Sequence, residues 1–144
     1  MITLKVSNQV QLALFIGIAS SLVSGVLFFV LKTWFDIEGE FGSEKHPWQF
    51  PALKIHAASA FFMMVFSGAM LGSHVQFGWR SKRSRNTGSV LVSLFTLQIG
   101  SAYSLYYLSD ELARVITEYI HLGVGLILPL SLASHIILGR WKNK

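Results

Sequence analysis

The stretch 118–144, EYIHLGVGLILPLSLASHIILGRWKNK, decides the fold, because it places two histidines within an otherwise apolar segment. His121 and His135 are fourteen positions apart, and an α-helix carries such residues on nearly one face, about 21 Å apart along its axis. Ionisable side chains are costly inside a membrane and usually face a functional interior. The stretch therefore predicts a membrane-spanning helix with one imidazole near each side of the bilayer.

The composition extends this prediction to the whole chain. Of its 144 residues, 52% are hydrophobic and 13% are charged, and the mean hydropathy of +0.52 is too high for a soluble domain of this length. Four runs without Asp, Glu, Lys or Arg each exceed the roughly 20 residues that a helix needs to cross the hydrocarbon. These runs are 6–31, 55–79, 86–109 and 119–139. The prediction is an all-α, integral membrane four-helix bundle in one domain, with helices at about 8–31, 51–79, 86–107 and 112–139.

Two classes of feature are excluded by simple counts. The chain contains no cysteine, which excludes disulfides, iron–sulfur clusters and covalent haem attachment through a CxxCH motif. The first apolar run is longer than the core of a signal peptide, which is about 7–15 residues, so we expect it to remain as a helix.

The charges predict which side of the membrane each loop occupies. With four spans, both termini and the loop after the second helix share one side. That side carries eight cations and no acid: Lys5, Arg80, Lys82, Arg83, Arg85, Arg140, Lys142 and Lys144. The other side carries the remaining four cations and all seven acids. The positive-inside rule makes both termini cytoplasmic. The net charge of +5 is therefore a topology signal, and no nucleic-acid partner is expected.

The second helix contains a matching pair of histidines. His56 and His74 are eighteen positions apart, which is five turns of an α-helix and about 27 Å. The sequences IHAA and SHVQFGWRSK around them correspond to IHLG and SHIILGRWKNK in the last helix, which indicates a repeated hairpin. The second and fourth helices run in the same direction. His56 is therefore expected level with His121 on the outer side, and His74 level with His135 on the inner side.

Each pair can supply both axial ligands to a haem b iron, and such ligation suits electron transfer because it leaves no open coordination position. The metal ligands predicted are thus His56 with His121 for an outer haem, and His74 with His135 for an inner one. Met70, fourteen positions after His56, is an alternative to His74. The unequal spacings differ by about 6 Å in height, and Pro129 is the expected site of a compensating bend.

Four basic residues lie near the predicted haems. Lys54 and Arg114 stand near the outer pair, and Arg80 and Arg140 near the inner pair, where they would bind haem propionates. The alternative is that these cations anchor the helix ends at the membrane surface.

Other polar and small residues leave alternatives open. The first helix has small residues, among them Gly17, Ser20 and Gly25, that serve either helix packing or contact with a porphyrin. Gln98 on the third helix is expected to make an interhelical hydrogen bond, and orienting a histidine is a second possible use. His46 is interpreted as a loop residue.

The pattern His121-x13-His135 resembles the membrane cytochromes b of bacterial respiratory enzymes, such as the gamma subunit of formate dehydrogenase and the cytochrome b subunit of nickel–iron hydrogenase. The ending H-x4-R-W, at His135, Arg140 and Trp141, is similar to that of a group of small four-helix bacterial dihaem proteins. The formate dehydrogenase pattern takes one ligand from the first helix. This chain has no histidine there, and His74 takes that place.

The resemblance implies a multi-pass protein of the bacterial inner membrane that transfers electrons between the quinone pool and a partner. With no soluble catalytic domain, the chain is expected to be an electron-transfer subunit rather than a complete enzyme. Its partners would be membrane lipid, a quinone, and a periplasmic cytochrome or oxidoreductase subunit that docks on the acidic outer side. The alternatives are a metal or proton transporter that uses the same histidines, or a structural membrane subunit.

Overall fold

The protein is described here by a computed structural model that covers residues 7–82 and 84–141, without the side chains of Arg140 and Trp141. The predicted role of the Arg140 side chain therefore lies outside the described residues. The helical elements are α1 (Asn8–Trp34), α2 (Gln49–Met70), a π-helical turn (Leu71–Val75), α3 (Gln76–Arg80), α4 (Arg85–Tyr107) and α5 (Glu111–Trp141).

Four helical segments are long and apolar enough to cross a membrane within the described residues. They are Asn8–Trp34, Gln49–Arg80, Arg85–Tyr107 and Glu111–Gly139. Each predicted helix is found, with ends shifted by at most three residues. Many large apolar side chains lie on the surface, such as Leu130, which is 70% exposed. This distribution fits a chain whose surroundings are hydrocarbon rather than water.

The described residues divide into two compact units, 7–68 in the first and 69–82 with 84–141 in the second. In the first unit, α1 begins at a Ser7 cap, whose Oγ accepts a hydrogen bond from the Val10 N–H at 3.3 Å. Such a cap satisfies one of the amide groups that a helix leaves without an internal partner at its start.

A short β-hairpin connects α1 to α2, in a segment that we predicted to be a loop. Its strands β1 (Ile37–Gly39) and β2 (Gly42–Glu44) pair antiparallel, with Gly39 opposite Gly42. Gly42 has a φ of +117°, which side chains disfavour, and a Cβ at Gly39 would collide with the Glu44 carboxylate. The two glycines therefore allow the tight reversal that the hydropathy pattern alone did not indicate.

The small residues of α1 serve its packing against α2. A Cβ at Gly17 would lie 2.6 Å from the Met63 sulfur, so a larger residue there would force the Met63 side chain to move. The hydroxyls of Ser20 and Ser59 share a hydrogen bond of 2.7 Å between the same helices. Of the two interpretations of these small residues, the structure provides direct contacts for helix packing.

The second unit starts with the end of the second span, where the helix is not regular. A π-helical turn at Leu71–Val75 separates α2 from α3. The predicted second helix, at about 51–79, is found as the span Gln49–Arg80, with this π-helical turn as an irregularity within it. A π-turn holds one more residue than an α-turn, and such turns occur often at functional sites. His74 lies within it.

Helices α4 and α5 pack together and are joined by residues 108–110. The Asp110 carboxylate accepts a hydrogen bond from the Ala113 N–H at 2.7 Å and so caps α5. Three buried residues, Val124, Leu128 and Leu132, follow at helical spacing along α5. Pro129 lies inside this helix, which continues to Trp141.

Candidate functional site

His56 on α2 is held by the backbone of α1. Its Nδ1 lies 2.8 Å from the carbonyl oxygen of Ser21. A carbonyl can only accept, so the imidazole must donate from Nδ1. A Cβ at Gly25 would lie 2.8 Å from both Nδ1 and Cε1 of His56, so this glycine provides the space for the ring.

His121 on α5 is held by α4 at both ring nitrogens. Its Nδ1 lies 2.9 Å from Ser101 Oγ, and its Nε2 lies 3.1 Å from the amide nitrogen of Gln98. The Ser101 hydroxyl donates its proton to the Gln98 carbonyl at 3.1 Å, so it accepts from the imidazole. The interhelical hydrogen bond predicted for Gln98 is confirmed, and its partner is a predicted ligand.

His135 on α5 has a similar arrangement near the other end of the helix. Its Nδ1 lies 2.8 Å from Thr87 Oγ1 on α4. The Thr87 hydroxyl is also 3.2 Å from the Ser84 carbonyl, and when it donates there it can accept from Nδ1 of His135. Gly88 comes close to the same imidazole, with its ideal Cβ 3.7 Å from Cε1.

His74 differs from the other three intramembrane histidines. Its Nδ1 is buried and has no hydrogen-bond partner among the described residues. The ring belongs to the π-helical turn of the second span. Within residues 7–82 and 84–141, no oxygen accepts a hydrogen bond from Nδ1 of His74 and so fixes its tautomer.

Three histidines thus share one feature that the sequence did not reveal. In each, Nδ1 lies within hydrogen-bond distance of an oxygen on a neighbouring helix that can accept an Nδ1–H. The lone pair of the neutral imidazole is then on Nε2, the nitrogen farther from its own backbone. Histidines that bind metals almost always donate their other ring N–H to an oxygen in this way, which fixes the orientation of the ring. The donor set of His56, His121 and His135 therefore fits a porphyrin iron.

The basic residues expected near the haems make few contacts. The side chains of Arg114, Arg80 and Lys54 are exposed. Lys54 places its ammonium 4.4 Å from the centre of the Phe50 ring, a cation–π contact on its own helix. These positions allow both of the roles considered above, propionate binding and anchoring at the membrane surface.

Two further candidates lie outside this set. His46 stands in the connection between β2 and α2, as interpreted, and its Nδ1 accepts a hydrogen bond from the Trp48 N–H at 3.2 Å. Met70, the alternative to His74, is the last residue of α2 and is half-buried.

An open groove of about 640 Å³ runs between α4 and α5 beside Ser101. Its lining combines small and hydroxyl-bearing residues with apolar side chains: Val92, Ser93, Thr96, Leu97, Gly100, Ser101, Ser104, Thr117 and Ile120. A Cβ at Gly100 would meet nothing within 4 Å, so the space above this glycine is open. The groove is in the size range of sites for small organic ligands.

No group of three or more His, Cys, Asp or Glu side chains capable of holding a metal ion occurs in residues 7–82 and 84–141. Comparisons with protein-family models, with curated proteins and with solved structures find no match for this chain.

Proposed function

We propose that this protein is a dihaem membrane cytochrome b of the bacterial inner membrane, with four helices and both termini in the cytoplasm. It would transfer electrons across the membrane between the quinone pool and a periplasmic redox partner. His56 with His121 would hold the outer haem, and His74 with His135 the inner haem. When bound, haem b would supply a one-electron iron couple.

The observation that carries this proposal is the shared orientation of three imidazoles. An isolated histidine in a membrane helix could satisfy its polar atoms in many ways. Here the Ser21 carbonyl and the hydroxyls of Ser101 and Thr87 can each accept a hydrogen bond from Nδ1, which leaves the lone pair of Nε2 for iron. This arrangement supports the ligand role over a structural subunit, which has no need for a common tautomer.

The inner pair draws support from within the second unit. His74 and His135 come from different spans within this unit. The buried Nδ1 of His74 lacks a partner, and an unsatisfied polar atom of this kind costs about 1–3 kcal/mol. A haem-ligand role would give His74 a function within the membrane, where ionisable side chains are costly.

The same residues bear on the transporter alternative. Pathways for transition metals commonly combine imidazole with thiolate or carboxylate ligands. The chain has no cysteine, and the hydrogen bonds described above join His56, His121 and His135 to a carbonyl or a hydroxyl on a neighbouring helix. The cytochrome therefore accounts better for this set of contacts.

The groove between α4 and α5 is our candidate for the quinone. It is adjacent to Ser101, which holds His121, and its apolar lining would admit a ring from the lipid. Several of its hydroxyls donate to carbonyls of their own helices, as Thr96 does to Val92 and Thr117 to Ala113. Their lone pairs remain available to accept hydrogen bonds from a quinol.

The acidic residues of the outer side suggest the second partner. All seven acids of the chain lie there by the predicted topology, and the exposed carboxylates of β1 and β2 are among them. Complementary charge accelerates encounter between redox proteins. The partner would be a periplasmic cytochrome or an oxidoreductase subunit with a basic docking surface.

The proposal is tested by the absorption spectrum of the purified protein in detergent, oxidised and reduced, with haem counted per chain as the pyridine haemochrome. We expect sharp low-spin b-type bands and two haems per chain. One haem per chain would contradict the assignment of one pair. No haem after expression with ample haem supply would overturn the function and favour the transporter.

Filling the groove tests the quinone site separately. Gly100→Leu would place a side chain in open space within the groove, so we expect normal haem content and at least a tenfold slower reduction of the haems by a short-chain quinol. Gly123→Leu is the matched control, because its Cβ also meets nothing within 4 Å and Gly123 does not line the groove. Equal rates in both variants would place the quinone elsewhere.

A further inference from the structure

Gln98 contacts His121 in a way that ligand orientation does not require. Its side-chain amide lies 3.1 Å from Nε2, the nitrogen that carries the lone pair. Its backbone carbonyl accepts from Ser101, which holds Nδ1 of the same ring. One residue of α4 therefore acts on both nitrogens of a single imidazole, directly at one and through a hydroxyl at the other.

The direction of each hydrogen bond follows from counting protons. The backbone carbonyl of Gln98 can only accept, so the Ser101 hydroxyl donates its single hydrogen to that carbonyl. Ser101 must then accept from Nδ1 of His121, and Nε2 is left without a proton. The group facing Nε2 must be a donor, which the amide N–H₂ of Gln98 is.

The side-chain amide of Gln98 is closely packed, and its position leaves one polar atom without a hydrogen bond. Its nitrogen is 3.2 Å from the ideal Cβ of Gly125 on α5, so a larger residue there would press on it. Its other end, Oε1, is buried without a hydrogen-bond partner among the described residues. A buried acceptor left unsatisfied works against the gain from the bond to Nε2. The hydrogen bond from the Gln98 amide to Nε2 of His121 is therefore weak enough for a stronger ligand of Nε2 to displace it.

We propose that Gln98 is a built-in placeholder for iron, which occupies the lone pair of His121 in the haem-free protein and is displaced when the haem binds. This inference rests on the proposed function. The placeholder keeps the imidazole in the tautomer that iron needs. It also prevents the lone pair from remaining unpaired in the membrane before the cofactor arrives.

The consequence is a competition between the amide and the iron for one nitrogen. Removing the amide leaves the Nδ1–H bond to Ser101 in place but removes the competitor. The outer haem should then bind about fivefold more tightly, which corresponds to the loss of a competing bond of about 1 kcal/mol.

The hydrogen bond itself is tested without haem. Nitrogen NMR of haem-free protein with ¹⁵N-labelled histidine should show the ring proton of His121 on Nδ1. Gln98→Leu should shift the Nε2 signal of His121 and leave those of His56 and His135 in place. A proton on Nε2 in the unmodified protein, or an unchanged Nε2 signal in the variant, would overturn the proposal.

The competition is tested by titrating haem-free protein with hemin, in a His135→Ala background that isolates the outer site. Gln98→Leu should lower the dissociation constant about fivefold. Gln98→Asn keeps an amide on a side chain that is one carbon shorter and too short to reach Nε2 of His121. It should therefore also lower the dissociation constant for hemin. Gln76→Leu, an exposed position on α3, is the matched control and should change nothing.

The outcomes separate the two proposals. Hemin binding with an unchanged or weaker affinity in both Gln98 variants would overturn the placeholder and leave the cytochrome intact. Failure of every variant and of the unmodified protein to bind hemin would overturn the proposed function, and the displacement step with it, whatever the NMR shows about the hydrogen bond.

Discussion

Replacing His121 with alanine is expected to remove one of the two haems from each chain. The variant loses the imidazole that Ser101 and Gln98 hold, and no other histidine of α5 lies near that end of the helix. A haem that loses one of two axial ligands becomes five-coordinate or dissociates. We expect the haem count to fall from two to one, with sharp low-spin bands retained by the remaining haem.

The control for this variant is His46→Ala. His46 lies in the connection before α2, where its ring accepts from the Trp48 amide, and its removal should leave both haems in place. The bands of the inner haem also report on folding, because a collapsed protein would lose both haems together. Retention of both low-spin haems in His121→Ala would contradict the ligand assignment.

Replacing Gly25 with leucine is expected to disrupt the proposed outer haem through its other predicted ligand, His56. A Cβ at this position would lie 2.8 Å from the His56 ring, which is closer than side-chain atoms approach one another. Overpacking of this kind costs about 1–3 kcal/mol, and here it would also push Nδ1 away from the Ser21 carbonyl. We expect loss of the outer haem and a lower midpoint of thermal unfolding in detergent.

Gly68→Leu is the matched control for this second variant. Gly68 belongs to the same unit and also lies within a helix, but a Cβ there would meet nothing within 4 Å. Both substitutions raise helix propensity by a similar amount, so propensity cannot explain a difference between them. Normal haem content in Gly25→Leu, or equal loss in both variants, would show that the space beside His56 is not critical.

The helices were predictable because a bilayer imposes a simple requirement on length and polarity. Runs without charge located all four spans, and the limits of Asn8–Trp34 and Arg85–Tyr107 differ from the prediction by few residues. The π-turn at Leu71–Val75 was not predictable from hydropathy, since an additional residue in one turn leaves the composition of a span unchanged. The β-hairpin was missed because its signal is confined to two glycines, Gly39 and Gly42.

The candidate site was only partly predictable, for a different reason. Histidines are rare in membrane helices, so the positions of four of them were enough to predict ligand candidates. Serine and threonine are common there and usually bond to their own helix, as Ser104 does to Gly100. Nothing in the sequence distinguishes Thr87 and Ser101 from such residues. Their roles depend on which turn of α4 faces which turn of α5, and this is a property of packing.

The hydrogen bond between His56 and the Ser21 carbonyl affects which substitutions the chain can tolerate. Nδ1 of His121 and of His135 is bonded to a hydroxyl, so a single change of Ser101 or Thr87 to alanine would delete that hydrogen bond. His56 instead depends on the main-chain carbonyl at position 21, which every amino acid possesses. Mutation of that side chain cannot delete the acceptor. The hydrogen bond of His56 is therefore retained after any substitution of the Ser21 side chain. The Nδ1 hydrogen bonds of His121 and His135 can each be deleted by one substitution on α4.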